Sequence, residues 1–125
     1  MTSPFGATIL EHFKRPRNRG ALTAPDVSQE GFNPLCGDRV RMELAVSNDI
    51  VREARFTADA CAISIAAASL LTERISGLSL ADAEHIAPEE LIQLLGAEIP
   101  AARRACALLP LTTLQTGIRA FREHR

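Results

Sequence analysis

Apolar residues recur at helical spacing near the start of the chain. The pattern predicts a first helix over residues 3–15, ended by Pro16, with an apolar stripe made of Phe5, Ile9, Leu10 and Phe13. Residues 18–32 mix Gly, Pro, Asp, Ser and Gln without a period, which indicates a connecting loop.

Alternation of apolar and polar residues marks the middle of the chain. In residues 39–46, Val40, Met42 and Leu44 share one side while charged residues take the other. A turn signal at 47–49 is followed by a second extended segment over 50–58. The pattern predicts an antiparallel hairpin with one buried face, in a sheet of two to three strands whose third member it does not place.

The second half of the chain has helical periodicity. Four helices are predicted there, with boundary signals at Cys61 and Gly77, at Ser79, at Pro88 and Gly96, and from about Pro100 to the end with Pro110 inside. A short sheet followed by several helices predicts an α+β fold, in which a small antiparallel sheet packs against the helices. At 125 residues, the chain is expected to form one domain over 1–125.

Composition narrows the class of protein. Apolar residues make up 46% and charged residues 23%, which is typical of a soluble globular protein. The longest uncharged stretches, 60–72 and 105–118, are shorter than the ~20 apolar residues that a membrane span needs. No signal-peptide pattern opens the chain. We therefore expect a cytoplasmic protein that does not associate with a membrane.

Charge is unevenly distributed although the formal net charge is only −1. Basic residues crowd positions 14–19 and 103–125, whereas residues 76–101 contain acidic residues and no Lys or Arg. Such asymmetry can steer a partner of the opposite pattern. No nucleic-acid-binding motif surrounds the basic arm formed by residues 14–19, so nucleic acid is not an expected partner.

The candidate chemistry lies in three cysteines, Cys36, Cys61 and Cys106. An odd number in a cytoplasmic chain argues against a disulfide framework, and buried small hydrophobes are the alternative interpretation. Cys36 and Asp38 are two positions apart in an extended segment and can point to one place. Cys61 begins a helix, whose N-terminus favours a thiolate.

Cys106 lies four residues before Pro110, which has no N–H to donate to the Cys106 carbonyl, so the helix is expected to be loosened there. Arg103, three residues earlier, would share the helix face of Cys106, where it would favour a thiolate or pair with Asp38. Ser64 is interpreted as a structural residue of a first helical turn, and the histidines as structural or surface residues: His12, His85 and His124.

Three thiolates and one carboxylate match the ligand number of a tetrahedral zinc site and of a site for a transient iron–sulfur cluster. The spacing contains no CxxC pair, so spacing by itself is weak evidence.

The chain resembles a known family almost from end to end. The motifs that carry the resemblance are EHFKRPRNRG at 11–20, NPLCGD at 33–38, ARF at 54–56, CAIS at 61–64 and PAARRACALL at 100–109. They are similar to the IscU/NifU-type iron–sulfur cluster assembly proteins. Ala105 stands where IscU scaffolds carry His, and IPAAR at 99–103 replaces their chaperone-recognition segment. These departures favour the SufU branch, although its usual insertion between the second and third cysteines is missing.

The resemblance implies a fold of the SufE/NifU type and a site built from Cys36, Asp38, Cys61 and Cys106. It also implies a SufS-like cysteine desulfurase as partner, and apo iron–sulfur proteins as recipients. In SufU-type members these ligands hold zinc and a thiol accepts sulfur, whereas scaffold members assemble a [2Fe–2S] cluster.

The leading hypothesis is a SufU-like assembly protein of the iron–sulfur pathway, in which Cys36 accepts persulfide sulfur and Arg103 assists from beside the site. If it is an enzyme, it would be a zinc-dependent sulfurtransferase. The first alternative is a non-enzymatic scaffold of the IscU type. The second alternative is a structural zinc domain with interaction duties only.

Overall fold

The fold was determined as a computed structural model, which describes residues 6–124. Five α-helices and three strands follow one another as α1 (Gly6–Lys14), β1 (Val27–Asn33), β2 (Asp38–Ser47), β3 (Ile50–Asp59), α2 (Ala62–Ile75), α3 (Leu80–Glu84), α4 (Pro88–Leu95) and α5 (Arg104–Glu123). A short 3-10 turn over Ala101–Arg103 precedes α5. The predicted α+β class is confirmed.

The sheet is antiparallel, with strand order β1-β2-β3. The predicted hairpin is confirmed as β2 and β3, joined by Asn48 and Asp49, which both have positive φ. Such a two-residue turn matches the twist of the strands it joins. The alternating residues Val40, Met42 and Leu44 are at most 1% exposed and form the inner face of β2.

The third strand lies where the sequence predicted a loop. β1 pairs with β2 along its whole length, from Val27 opposite Leu44 to Asn33 opposite Asp38. The prediction of a loop over 18–32 was therefore wrong for 27–32. The apolar residues Val27 and Phe32 lie on opposite faces of this strand, so its sequence shows no alternation, and pairing with β2 fixes its conformation instead.

Helix α5 crosses β1 at a very short distance, which two glycines allow. A Cβ atom on Gly31 would lie 1.9 Å from the Thr113 hydroxyl, and one on Gly117 would lie 2.8 Å from the Cβ of Gln29. Both contacts are closer than real Cβ atoms approach other atoms, so larger residues would push the helix away from the sheet. The position of α5 relative to the sheet therefore depends on these two glycines.

Helix α2 lies in the centre of the helical layer. Its Ala66, Ala67, Ala68 and Leu71 are fully buried, and it contacts α1, α4, α5 and β3. The helix that the sequence predicted from Cys61 to Gly77 is confirmed as α2, which spans Ala62–Ile75.

The smaller helices also begin and end at the predicted signals. The Ser79 side chain accepts a hydrogen bond from the Asp82 amide at the start of α3, and Gly96 ends α4 in the left-handed conformation. The predicted first helix is confirmed from Gly6 onward; residues 3–5 lie outside the described residues.

A buried polar cluster attaches α1 to α2. His12 Nδ1 lies 2.7 Å from Ser69 Oγ, which also accepts a hydrogen bond from the Arg17 amide at 2.8 Å. Asn18 donates to the Thr72 hydroxyl in the next turn of α2. Burial lowers the pKa of His12, as does the nearby Arg17, although Glu73 and Glu11 partly oppose them. His12 is therefore structural, as predicted.

The acidic and basic segments are separate in the sequence, but the fold brings many of their charged side chains together. Glu84 forms ion pairs with Arg119 and Arg122 of α5, while Glu89 pairs with Arg104 and Glu90 with Arg74. The acidic segment that we expected to steer a partner is thus partly paired within the chain. In the basic arm, Arg15 and Arg17 both pair with Glu11. Within residues 6–124, no helix has the length and apolar content to cross a membrane.

We expect Gly31→Ala to lower the free energy of unfolding by about 1–3 kcal/mol, because the added methyl group collides with Thr113. Thr113→Ala removes the hydroxyl and methyl groups from the collision and should restore part of that loss in the double variant. Urea unfolding of the four chains measures the coupling. A loss that is the same with and without Thr113 would show that the close crossing is not the cause.

We expect His12→Asn to flatten the pH dependence of stability as the pH falls below about 7. Because the pKa of His12 is lower in the folded chain than in the unfolded one, the unfolded state takes up more protons below about pH 6.5. The wild-type chain therefore loses stability as the pH falls through that range. Asn can keep a hydrogen bond to Ser69 without titrating. Equal slopes for the two chains in urea titrations would contradict this account.

Candidate metal centre

Cys36 lies in the turn between β1 and β2. The Asn33 side chain accepts from the Leu35 amide at 3.0 Å, and the Asn33 carbonyl accepts from the Gly37 amide at 2.8 Å. Gly37 has a φ of 74°, the left-handed conformation in which glycine is unstrained. Leu35 is 94% exposed and Cys36 is half-buried. The turn therefore presents the Cys36 thiol at the surface.

Asp38, the first residue of β2, is buried and holds the N-terminus of α2. Its Oδ1 accepts from the Cys61 amide at 3.0 Å, and its Oδ2 accepts from the Ser64 hydroxyl at 2.8 Å. Helix α2 has no cap from the Cys61 side chain. A carboxylate from another element therefore binds its free amide and lies at the positive end of the helix dipole.

Cys106 is attached to the same place through its backbone. Pro110 gives the Cys106 carbonyl no intrahelical donor, and the carbonyl accepts from the Ser64 hydroxyl at 2.7 Å instead. The single proton of Ser64 is shared between this carbonyl and the Asp38 carboxylate. The predicted loosening of the helix at Cys106 thus creates an acceptor that Ser64 satisfies.

These contacts bring three of the four predicted ligands together. The ligand atoms of Cys36, Asp38 and Cys106 all lie within 4.8 Å of one another. The Cys106 thiol donates to the Cys36 sulfur at 2.9 Å. The Cys61 sulfur is not in this group and lies 3.7 Å from the Ser64 hydroxyl instead. Of residues 6–124, no histidine joins the group.

The two buried members of the group titrate differently. Burial by itself would raise the pKa of Asp38, but hydrogen bonds from Ser64, Cys61 and Cys36 outweigh it and lower this pKa. Burial, the hydrogen bond to Cys36 and the nearby negative charges raise the pKa of the Cys106 thiol to about 12. Without a metal ion, Asp38 is therefore ionised at neutral pH and Cys106 keeps its proton.

Arg103 does not have the contacts that the sequence suggested. It lies in the 3-10 turn that precedes α5, and its side chain does not pair with Asp38, whose oxygens are taken by Cys61 and Ser64. It is exposed and, together with Cys36 and Cys106, lines an open cleft of about 390 Å³. Arg103 is thus positioned at the mouth of the site.

Ser64, interpreted from the sequence as a structural residue, has contacts in the site that the sequence did not reveal. It is fully buried and contacts Asp38, Cys61 and the Cys106 backbone. Two signals were available in the sequence. One is a serine in the first turn of a buried helix, and the other is Pro110, which frees the carbonyl of Cys106, 42 residues after that serine. Neither feature identifies the other without the tertiary structure.

The donor set fits a zinc ion. Zinc accepts thiolate sulfur and carboxylate oxygen, and two thiolates bound to one zinc ion are about 3.8 Å apart in tetrahedral geometry. The Cys36 and Cys106 sulfurs, at 2.9 Å, would have to separate slightly, and Cys36 lies on an exposed turn where this is possible. The four-residue ligand set stays a prediction.

Comparison with known proteins places this chain in a family. A family model, the NifU-like N terminal domain, matches residues 5–125. The chain belongs to this family.

Several relatives of this NifU-like domain cover most of its length. The bifunctional protein NifU/MnmA of Rubrobacter xylanophilus is 35% identical over 99% of the chain, which spans 25% of that protein. The zinc-dependent sulfurtransferase SufU of Bacillus subtilis is 42% identical over a stretch that covers 55% of this chain and 46% of the Bacillus protein. The first two relatives are therefore much longer than the matched part. The iron-sulfur cluster assembly scaffold protein IscU of Aquifex aeolicus is 33% identical over 97% of the chain and 78% of its own length.

The fold of the NifU-like domain is also found in a solved structure. The N-terminal NifU-like protein of Brucella abortus matches with a TM-score of 0.80 and 22% identity, over 97% of this chain and 96% of that one. This likeness supports the fold alone.

In this NifU-like domain we expect Ser64→Ala to lower the free energy of unfolding by about 1–3 kcal/mol, because the Cys106 carbonyl loses its donor in a buried place. Pro110→Ala is the matched partner, since an alanine in place of the proline supplies an N–H to that carbonyl. We therefore expect Ser64→Ala to cost about 1 kcal/mol less in the Pro110→Ala background. Equal costs in both backgrounds, measured by urea unfolding, would contradict this role of Ser64.

Proposed function

We propose that this chain is an iron–sulfur cluster assembly protein that accepts persulfide sulfur on Cys36 from a cysteine desulfurase. The observation that carries the proposal is the group of Cys36, Asp38 and Cys106 ligand atoms within 4.8 Å of one another. Two thiols and a carboxylate that converge from a turn, a strand and a helix are suited to bind a metal ion or to pass sulfur.

Accessibility supports Cys36 as the acceptor. Cys36 is half-buried on an exposed turn, whereas Cys106 is only 1% exposed. A persulfide on another protein can approach Cys36 from the open cleft, while Cys106 is shielded. The Cys36 thiolate attacks the outer sulfur of the enzyme persulfide, the S–S bond breaks, and the desulfurase cysteine leaves as a thiolate.

Charge at the site is suited to this transfer. The Cys106 thiol donates its proton toward the Cys36 sulfur and stabilises negative charge there. Arg103, which lines the same cleft, places a cation beside a thiolate or persulfide anion on Cys36. We propose this assisting role for Arg103 in place of a pairing with Asp38.

Cys36, Asp38, Cys61 and Cys106 are the residues that would hold a zinc ion. Zinc would supply a positive charge that keeps the thiols ionised and the elements joined. The name of the Bacillus subtilis relative, a zinc-dependent sulfurtransferase, supports this assignment. The side chains of the group also support this assignment, because they offer sulfur and carboxylate oxygen, and no histidine of residues 6–124 joins them.

An IscU-type scaffold is the second candidate function. The Aquifex aeolicus relative bears that name, and the chain spans most of its length. The open cleft beside Cys36 and Cys106 offers space for a [2Fe–2S] cluster as cargo for recipient apo-proteins. Both functions use the same residues, so the experiments must distinguish assembly of a cluster from acceptance of persulfide sulfur.

The test uses a purified SufS-type cysteine desulfurase and cysteine labelled with a heavy sulfur isotope. We expect the label on Cys36 of the wild-type chain, found by mass spectrometry of its peptides. Cys36→Ser should lose at least about nine-tenths of the label. Thr112→Ala is the control, because this exposed residue of α5 lies outside the site. Wild-type labelling of the Cys36→Ser variant would contradict the proposed acceptor.

Two further measurements separate the alternatives. Elemental analysis and anaerobic reconstitution distinguish zinc with enhanced desulfurase turnover from a [2Fe–2S] chromophore that moves to an apo-ferredoxin. A structural zinc domain with interaction duties only would instead let Asp38→Ala keep the activity of the assembly pathway.

A further inference from the structure

The shortest side-chain contact between two nucleophiles in the site joins Cys36 and Cys106. Their sulfurs are 2.9 Å apart, although the residues are 70 positions apart in the chain. A disulfide bond has a sulfur separation of about 2.05 Å, so closing it requires less than about 1 Å of movement. The structure thus holds a dithiol pair close to bonding geometry.

The two thiols of this pair differ in accessibility. Cys36 lies on an exposed turn, and Gly37 beside it has no other residue within 4 Å of its Cβ direction. Cys106 is 1% exposed on α5, and its backbone is fixed by the Ser64 hydrogen bond. An external reactant therefore meets Cys36, while Cys106 can reach only a group already on Cys36.

We propose that Cys106 is a resolving cysteine that releases sulfide from a persulfide on Cys36. This step rests on the proposed function, because it begins where the acceptor step ends. The Cys106 sulfur attacks the Cys36 sulfur, a Cys36–Cys106 disulfide forms, and the bond from Cys36 to the outer sulfur breaks. The outer sulfur leaves with the electron pair and takes the Cys106 proton, so that the product is hydrosulfide.

The balance of this step is complete without another reactant. The two cysteine sulfurs are oxidised together by two electrons, and the sulfane sulfur is reduced by two electrons to sulfide. The next cycle requires a dithiol reductant to reopen the disulfide. The pair cannot bind metal while it is a disulfide, so metal binding and sulfide release are alternative states of one site.

Cys61 is not suited to this role. Its sulfur lies against the Ser64 hydroxyl and outside the group formed by Cys36, Asp38 and Cys106. Attack by Cys61 would require a larger displacement than attack by Cys106. The control for Cys106→Ala is Thr112→Ala, which truncates an exposed side chain of the same helix, α5, outside the site.

The experiment uses the full chain, stripped of metal with a chelator and treated with inorganic polysulfide. After gel filtration, the sulfide released and the protein mass are followed over time. The wild-type chain and Thr112→Ala should release sulfide, lose the mass of two hydrogens and yield a peptide that links residues 36 and 106. Cys106→Ala should keep one added sulfur on Cys36 and release sulfide about tenfold more slowly.

The outcomes separate this inference from the function on which it rests. If Cys106→Ala carries sulfur on Cys36 but releases sulfide at the wild-type rate, the resolving role is overturned while the acceptor role stands. If the added sulfur appears on a residue other than Cys36, the acceptor role fails as well. The linked peptide in the wild-type chain is measured without any variant, so poor folding of Cys106→Ala does not spoil the test. A stable persulfide without that linkage overturns the inference.

Discussion

The arrangement of this site depends on one hydroxyl group. Ser64 Oγ lies 2.8 Å from the Asp38 carboxylate and 2.7 Å from the Cys106 carbonyl, and so joins β2, α2 and α5. Both partners are buried. Pro110 denies the Cys106 carbonyl its usual donor, and the Asp38 carboxylate also accepts from the Cys61 amide at the start of α2, which has no cap of its own. A buried polar group without a partner is costly, so the three elements are held to this geometry.

The fold supplies the distances that this bridge needs. Helix α5 can bring Cys106 to the turn before β2 because Gly31 and Gly117 allow the helix to lie against β1. On the other side, Ser69 and Thr72 of α2 hold His12 and the chain after α1. Close packing of α5 against β1 at two glycines, and hydrogen bonds from small hydroxyl residues, thus position the thiols. The large apolar residues fill the core without specifying the site.

The same short distances would suit both kinds of chemistry in the proposed function. A sulfur, a second sulfur and a carboxylate oxygen that converge within 4.8 Å suit a metal ion, which the lowered pKa of Asp38 favours. Without a metal, Cys106 keeps its proton because burial and neighbouring negative charge raise its pKa. Its proton then points to Cys36. Under the proposed function, loading with metal and transfer of sulfur would therefore compete for the same pair of thiols.

Sequence alone determined the elements with a clear period and their ends: the β2–β3 hairpin, the helices after Cys61, and the boundaries at Ser79 and Gly96. These signals are local, because they depend on which face of one element each side chain takes. Resemblance to a family also named the four candidate ligands. Only the tertiary structure decided that residues 27–33 form a strand, that Ser64 joins Asp38 to Cys106, and that the Cys61 sulfur lies outside the group of Cys36, Asp38 and Cys106. These features are contacts between distant segments: the pairing of β1 with β2, and the hydrogen bond from Ser64 to a carbonyl 42 residues away. The local pattern of apolar and polar residues cannot predict such contacts.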